Sequence, residues 1–254
     1  MTALFDPIAE LYERYADIND ALFRPYLEKA LPDAATRSVD LGCGSGRFTG
    51  LLADRSAQVL GVDIAEREIA IAAEKRSRPN IEYRVGDLLE VTAEKDGPFD
   101  VVFSVNTMFH LFAGHDVDTV IGHVRSLVAP GGAAVIVDVV TPGPRAILFH
   151  RWWGVTDAVR TLRRRRSVAD AWTVLRLRQH PTWMRHARVN QPLTRPDFHR
   201  YYSAHFPGAT FVDDLDPFIC ARSRRGPTRA SGRRTTVTAT RTPRTRPDRT
   251  TTTG

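Results

Sequence analysis

Three glycines at every second position, Gly42, Gly44 and Gly46, follow an acid at Asp40 and the short apolar step Ser38-Val39. Glycine reaches backbone conformations closed to other residues, so this spacing lets the chain turn tightly against a ligand. Phe48, Leu51, Leu52 and Ala53 come next, on one face of a helix. Strand, glycine turn and helix form the opening unit of a doubly wound α/β domain, whose ligands sit at the carboxyl ends of its strands. The chemistry such a loop offers is to cradle a nucleoside. A dinucleotide loop reads G-x-G-x-x-G and directs helix amides at a pyrophosphate. In this chain the third glycine comes one residue early and Arg47 stands in the expected place.

A second acid belongs with the first. Val59-Leu60-Gly61-Val62 reads as a strand and ends at Asp63, 23 positions beyond Asp40, where a carboxylate accepts the hydroxyls of a ribose. Ile81-Glu82-Tyr83-Arg84-Val85 alternates as a strand should and leads into Gly86-Asp87-Leu88. Pro98-Phe99-Asp100-Val101-Val102-Phe103-Ser104-Val105-Asn106 is a nearly continuous apolar run of the kind buried on both faces. Then come Val124 to Pro130-Gly131-Gly132 and the apolar Ala133 to Val137.

In order and spacing, these segments resemble the class I S-adenosylmethionine-dependent methyltransferases, with the D-x-G-x-G-x-G loop at Asp40 to Gly46 and, from Arg125 to Gly132, a stretch one residue longer than the family's R-x-L-x-P-G-G signature. The resemblance is close over roughly residues 38–140 and looser elsewhere. It implies an α/β fold with a doubly wound, mostly parallel seven-stranded sheet and an antiparallel last strand. It also implies S-adenosyl-L-methionine as cofactor, which carries no phosphate and ends in a cationic amino-acid group. Asp40, Gly42, Gly44, Gly46, Asp63, Ile64, Asp87, Leu88 and Asn106 would hold it, with Asp87 on the adenine amine. The implied activity is methyl transfer to a small-molecule acceptor whose identity the sequence does not give.

Methyl transfer from a sulfonium asks the protein mainly to align the nucleophile and, for some acceptors, to remove its proton. Asn106 and the following Thr107-Met108-Phe109-His110 lie where the transferred methyl should sit. His110 is the candidate base, with an ordinary pKa near 6.5; a packing histidine is the competing reading. Ser104 to Phe109 contains no Pro-Pro pair and no cysteine, which argues against a nucleic-acid base as acceptor. No His, Cys and Asp spacing suggests a metal. Two rival readings stay open: a same-fold enzyme using S-adenosylmethionine for other chemistry, and a non-catalytic module held to anionic membrane or RNA by its arginines.

The elements that must position these residues divide the chain. Residues 1–34 read as an N-terminal helical cap, with apolar positions at Leu4, Ile8, Leu11, Tyr12, Tyr15, Ile18, Leu22 and Leu27 in a helical recurrence broken by Pro25. Tyr12 and Tyr15 either roof the cofactor or dock the helix. Residues 35–225 read as the methyltransferase domain, including a helical basic insertion at about 142–190. Its stripes are Leu148, Trp152, Val155, Val159 and Leu162, then Val168, Trp172 and Leu175, with Arg163 to Arg166 between them. Trp152, Trp153 and Trp172 are expected either to wall an acceptor or to pack down. Thr194 and Pro196 mark a further helix start. Residues 226–254 read as a disordered Arg/Thr/Pro-rich tail.

Charge follows the same division. Residues 1–144 carry 13 basic and 22 acidic side chains, and residues 145–188 carry 11 and 2. Two cysteines without a paired spacing suit a reducing compartment. With no basic start followed by an apolar core and no apolar run long enough to span a bilayer, the expectation is a cytoplasmic protein.

Overall fold

The computed structural model describes residues 8–143, 150–190, 192–213, 215 and 218–224. The tail from 226 onward, Leu4 and Leu148 lie outside the described residues, as do Pro144 and Arg145 at the start of the insertion.

Helices and strands alternate along the first half of the chain: α1 (Ala9–Ala30), β1 (Ala35–Leu41), α2 (Thr49–Ala53), β2 (Ser56–Asp63), α3 (Glu66–Lys75), β3 (Ile81–Val85) and β4 (Phe99–Val105). A short α4 (Met108–Leu111), α5 (Val117–Leu127) and β5 (Val128–Val139) follow. The insertion holds three helices, α6 (His150–Arg165), α7 (Val168–Gln179) and α8 (Pro181–Val189), before α9 (Arg195–His205), β6 (Thr210–Val212) and β7 (Phe218–Arg224). One seven-stranded sheet runs β3-β2-β1-β4-β5-β7-β6. β1 to β5 pair in parallel, and β7 runs antiparallel to both β5 and β6. This is the doubly wound sheet that the glycine motif and the apolar runs lead one to expect.

Central strands bury both faces because their side chains alternate between two cores. In β4, Phe99 and Val102 join a core with α5 and with Phe198 and Tyr202 of α9, whereas Val101 and Phe103 join another with Phe23 and Leu27 of α1 and Phe48, Leu51 and Leu52. The order reverses between β1 and β4, which pair with each other while β2 lies on the far side of β1. That reversal opens the crevice in which the glycine loop sits.

The structure differs from the sequence expectation at Pro25. α1 runs through Pro25 rather than breaking there, because Phe23 and Leu27, 1% and 0% exposed, anchor both sides of the proline in the core. Pro130-Gly131-Gly132 lies within β5, in the irregularity where Phe99 pairs with Val128 and Val101 with Ala133. Thr194 does cap α9, its hydroxyl accepting the Asp197 N–H, with Pro196 in the first turn.

Candidate functional site

The glycine loop is held from the end of β2. Gly42 and Cys43 donate their N–H groups to the Val62 carbonyl. Gly44 N–H donates to Asp63 Oδ2 at 2.8 Å, and the other Asp63 oxygen accepts from Ala65 N–H at 2.9 Å. Asp63 therefore ties the loop after β1 to the start of α3. Gly44 sits at φ +51°, and a Cβ there would meet nothing closer than a Glu68 carboxylate oxygen at 4.0 Å. Its outward side is open space, into which a side chain would intrude.

A cavity of about 1240 Å³ begins at this loop. Asp40, Gly42, Asp63, Ile64, Asp87, Leu88, Asn106 and His110 all line it, so among the expected site residues only Gly44 and Gly46 do not. Gly46 instead packs behind the loop, where a Cβ would lie 2.5 Å from the Tyr83 hydroxyl. Asp40 is 3% exposed and accepts the Thr49 hydroxyl at 2.6 Å; burial, with the nearby Asp63 charge adding to it, raises its carboxyl to about 7. Asp87 caps the short turn Leu88–Glu90 by accepting the Leu89 N–H. Ile64, beside Asp63, is 63% exposed. Burial pushes the Cys43 thiol pKa up, so it carries no thiolate.

Asn106 has two unusual properties. Its backbone is left-handed at φ 56°, uncommon for a residue other than glycine. Its Oδ1 is buried and accepts no hydrogen bond among the described residues. A buried acceptor without a donor costs free energy unless a ligand supplies one. The Asn106 N–H donates to the carbonyl of Val137, and the next residue, Asp138, is 1% exposed, with one oxygen accepting the Phe109 N–H at 3.1 Å. Burial drives the Asp138 carboxyl well above its usual range.

Farther along the cavity, His110 Nδ1 lies 2.8 Å from Asn190 Oδ1. Asn190 Nδ2 donates to the His186 carbonyl at 2.8 Å, which leaves its oxygen to accept and so fixes the proton of His110 on Nδ1. The lone pair is then on Nε2. Burial lowers the His110 pKa, partly offset by the Asn190 hydrogen bond. His186, Trp153 and Trp183 complete this end of the wall. Arg178 lies over Tyr15 and Trp183 and pairs with Asp157 at 2.7 Å.

α1 closes the side of the cavity above the loop. Arg47, from the loop, meets Asp20 at 2.5 Å, Glu13 at 2.8 Å and also Asp17, all on α1. Tyr12 and Tyr15 both line the cavity, with their rings against Trp183. This clamp is absent from the sequence reading, though Glu13, Asp17 and Asp20 at helical spacing gave a sign of it: one acidic face. His186 and Asn190 were missed because they meet His110 only through the fold. Of the three tryptophans offered as a wall, Trp153 alone faces the cavity; Trp152 and Trp172 are 66% and 58% exposed. The physical reason is that α6 packs on α7 through its smallest residues, Gly154 and Ala158. A Cβ on Gly154 would lie 2.7 Å from the Arg178 Cβ.

Residues 39–132 match the family model described as a methyltransferase domain. The chain is 32% identical over 168 residues to the 2-phytyl-1,4-naphtoquinone methyltransferase of Thermosynechococcus vestitus, covering 59% of this chain and 70% of that one. The chain belongs to the class I S-adenosylmethionine-dependent methyltransferases. It is 34% identical over 125 residues to the ubiquinone biosynthesis O-methyltransferase of Acinetobacter baumannii, covering 48% of this chain. The chain spans about half, 51%, of that relative's length. In fold it is similar to an S-adenosylmethionine-dependent methyltransferase from Mesorhizobium loti, with a TM-score of 0.54 and 19% identity over 82% of this chain and all of that one. It is similar also to human N-acetylserotonin methyltransferase, with a TM-score of 0.51 and 14% identity, covering 85% of this chain and 56% of that one.

The lining suits this family's cofactor. Asp63, Glu68 and Asp87 line the loop end of the cavity together with buried Asp40 and the Asp20–Arg47 pair, a setting in which acids outnumber the one cation and which suits a cationic ligand. Asn106, which lines the cavity, offers a buried acceptor in want of a donor.

Proposed function

We propose that this protein transfers the methyl group of S-adenosylmethionine to a hydroxylated aromatic small molecule of the quinol class. The observation that carries the acceptor is the far half of the cavity. At about 1240 Å³ the space exceeds the roughly 300–1,000 Å³ of one-ligand pockets, and beyond the loop it is walled by Phe109, Trp153, Trp183 and the His110–Asn190 pair. The names of the relatives from Acinetobacter and Thermosynechococcus, which cite ubiquinone and a phytyl naphthoquinone, support the same class.

Asp63, Ile64, Asp87, Leu88, Asn106 and the loop from Asp40 to Gly46 are the residues that would hold the cofactor, which when bound supplies an electrophilic methyl group on a cationic sulfur. His110 would take the proton of the acceptor hydroxyl at Nε2, since burial keeps the ring neutral at pH 7. Asn190 orients that ring, and the tryptophans exclude water from the face of the acceptor.

The test is incubation of the purified chain with methyl-labelled S-adenosylmethionine and a panel of hydroquinones, catechols and carboxylic acids. Label in the phenolic compounds, lost in His110→Ala, supports the assignment. Bound cofactor with label transferred only to non-phenolic acceptors overturns it.

A further inference from the structure

The insertion turns one side of α6 to the cavity, through Trp153, Thr156, Asp157 and Arg160. Its opposite side presents Trp152, Val155, Val159 and Leu162, at 66%, 40%, 43% and 41% exposure. α7 adds Val168 at 75% and Trp172 at 58%. Six large apolar side chains standing in water on one helix pair exceed the scattered exposure usual on a protein surface.

Arginines stand at one end of this face. Arg163, Arg164 and Arg166 are exposed where α6 runs into the turn before α7 and have no ion-pair partner among the described residues, and Arg176 of α7 is exposed as well. Residues 145–188 contain 11 basic and only 2 acidic side chains. Both acids are already engaged, Asp157 with Arg160 and Arg178, and Asp170 with Arg165. The helix pair thus presents an exposed apolar stripe with a cluster of unpaired arginines at the turn that joins its two halves, and the acids of the insertion do not compensate them.

We propose that the outward face of α6 and α7 seats on the surface of an anionic lipid bilayer. Tryptophan and aliphatic side chains enter the boundary between headgroups and acyl chains, and the arginines meet the lipid phosphates. Charge complementarity selects this occupant. A second copy of the chain would bring the same uncompensated arginines onto itself, and a nucleic acid would satisfy the arginines while leaving the apolar stripe in water. Seating of this kind is peripheral, and no helix among the described residues is long and apolar enough to cross a membrane.

The experiment uses the full chain with vesicles of phosphatidylcholine alone or mixed with phosphatidylglycerol. Co-sedimentation measures binding, and brominated acyl chains quench tryptophans that enter the bilayer. The chain should bind the mixed vesicles with tryptophan quenching. The Trp152→Ser/Trp172→Ser variant should lose that quenching and bind at least tenfold more weakly. Arg163→Gln/Arg164→Gln/Arg166→Gln should weaken binding further, since each arginine near an anionic surface contributes roughly fivefold. None of these five residues lines the cavity, so calorimetric binding of S-adenosylmethionine, which reads the proposed function separately, should be unchanged. Absence of vesicle binding overturns the proposal, as does salt-sensitive binding without quenching, or a dimer that the tryptophan variant dissociates while vesicle binding stays intact.

Discussion

Arg47→Met keeps the aliphatic stem of the side chain and removes the clamp between the glycine loop and α1. Three contacts go, and they are unequal. Glu13 and Asp17 are 52% and 71% exposed in their side chains, so solvent screens them and each contributes at most about 1 kcal/mol. Asp20 and Arg47 are both 17% exposed, and Asp20 is left without its cation in a partly buried place. Loss of one partner of a fully buried pair costs about 3–5 kcal/mol. Discounted for the remaining solvent access, the whole change should be about 2–3 kcal/mol at pH 7. Burial already raises the Asp20 pKa against the pull of Arg47, so losing Arg47 raises it further and makes the variant less unstable at pH 5 than at pH 7. Urea unfolding of wild type, Arg47→Met, Asp20→Asn and the double variant closes a thermodynamic cycle. Its coupling between the two positions should be at least about 1 kcal/mol, within the usual range for residues in contact. A coupling near zero, or an Arg47→Met variant as stable as wild type, would refute the clamp and with it the role of α1 in closing the cavity.

Further outcomes follow from the buried groups. Asp138 keeps its proton in the folded protein well above the pH at which an unfolded aspartate ionises, so its contribution is full at low pH and is lost as pH rises towards its folded pKa. Asp138→Asn, whose amide oxygen can keep the Phe109 N–H bond, should accordingly raise Tm at pH 8 and leave it nearly unchanged at pH 4; equal shifts at both would contradict the burial of a neutral carboxyl. The acid limb of kcat/KM should lie below pH 6.5, because His110 is depressed by burial and must be neutral to accept a proton. Asn190→Ala removes the bond that holds the pKa up, so it should move that limb to lower pH and reduce kcat/KM about tenfold or more; an unmoved limb assigns it to another group. Gly46→Ala should cost about 1–3 kcal/mol in urea unfolding, from φ +77° and the Tyr83 hydroxyl behind it, and wild-type stability would show that the loop can turn otherwise.

The parts of this molecule that were legible in the sequence are those fixed over short stretches. Apolar runs such as Val101 to Val105 reveal buried strands, alternating glycines reveal a turn, and Thr194 with Pro196 reveals a helix start. Contacts that the fold makes across long separations were not legible. Arg47 reaches acids 27 to 34 positions earlier, and His110 reaches Asn190 80 positions later. The stripes of α6 and α7 show a third kind of limit. Helical periodicity identifies one face but not which way it turns, and here the small face of Gly154 and Ala158 packs inward while the tryptophan face stays out.

Titration calorimetry of S-adenosylmethionine into wild type and Asp63→Ala tests the central claim most directly. The account predicts one molecule bound per chain, with affinity at least tenfold weaker in Asp63→Ala, where the Gly44 N–H loses its acceptor and a ribose would lose its partner, about 1–3 kcal/mol for such a buried polar group. No binding by wild type, or equal binding by both proteins, would contradict it.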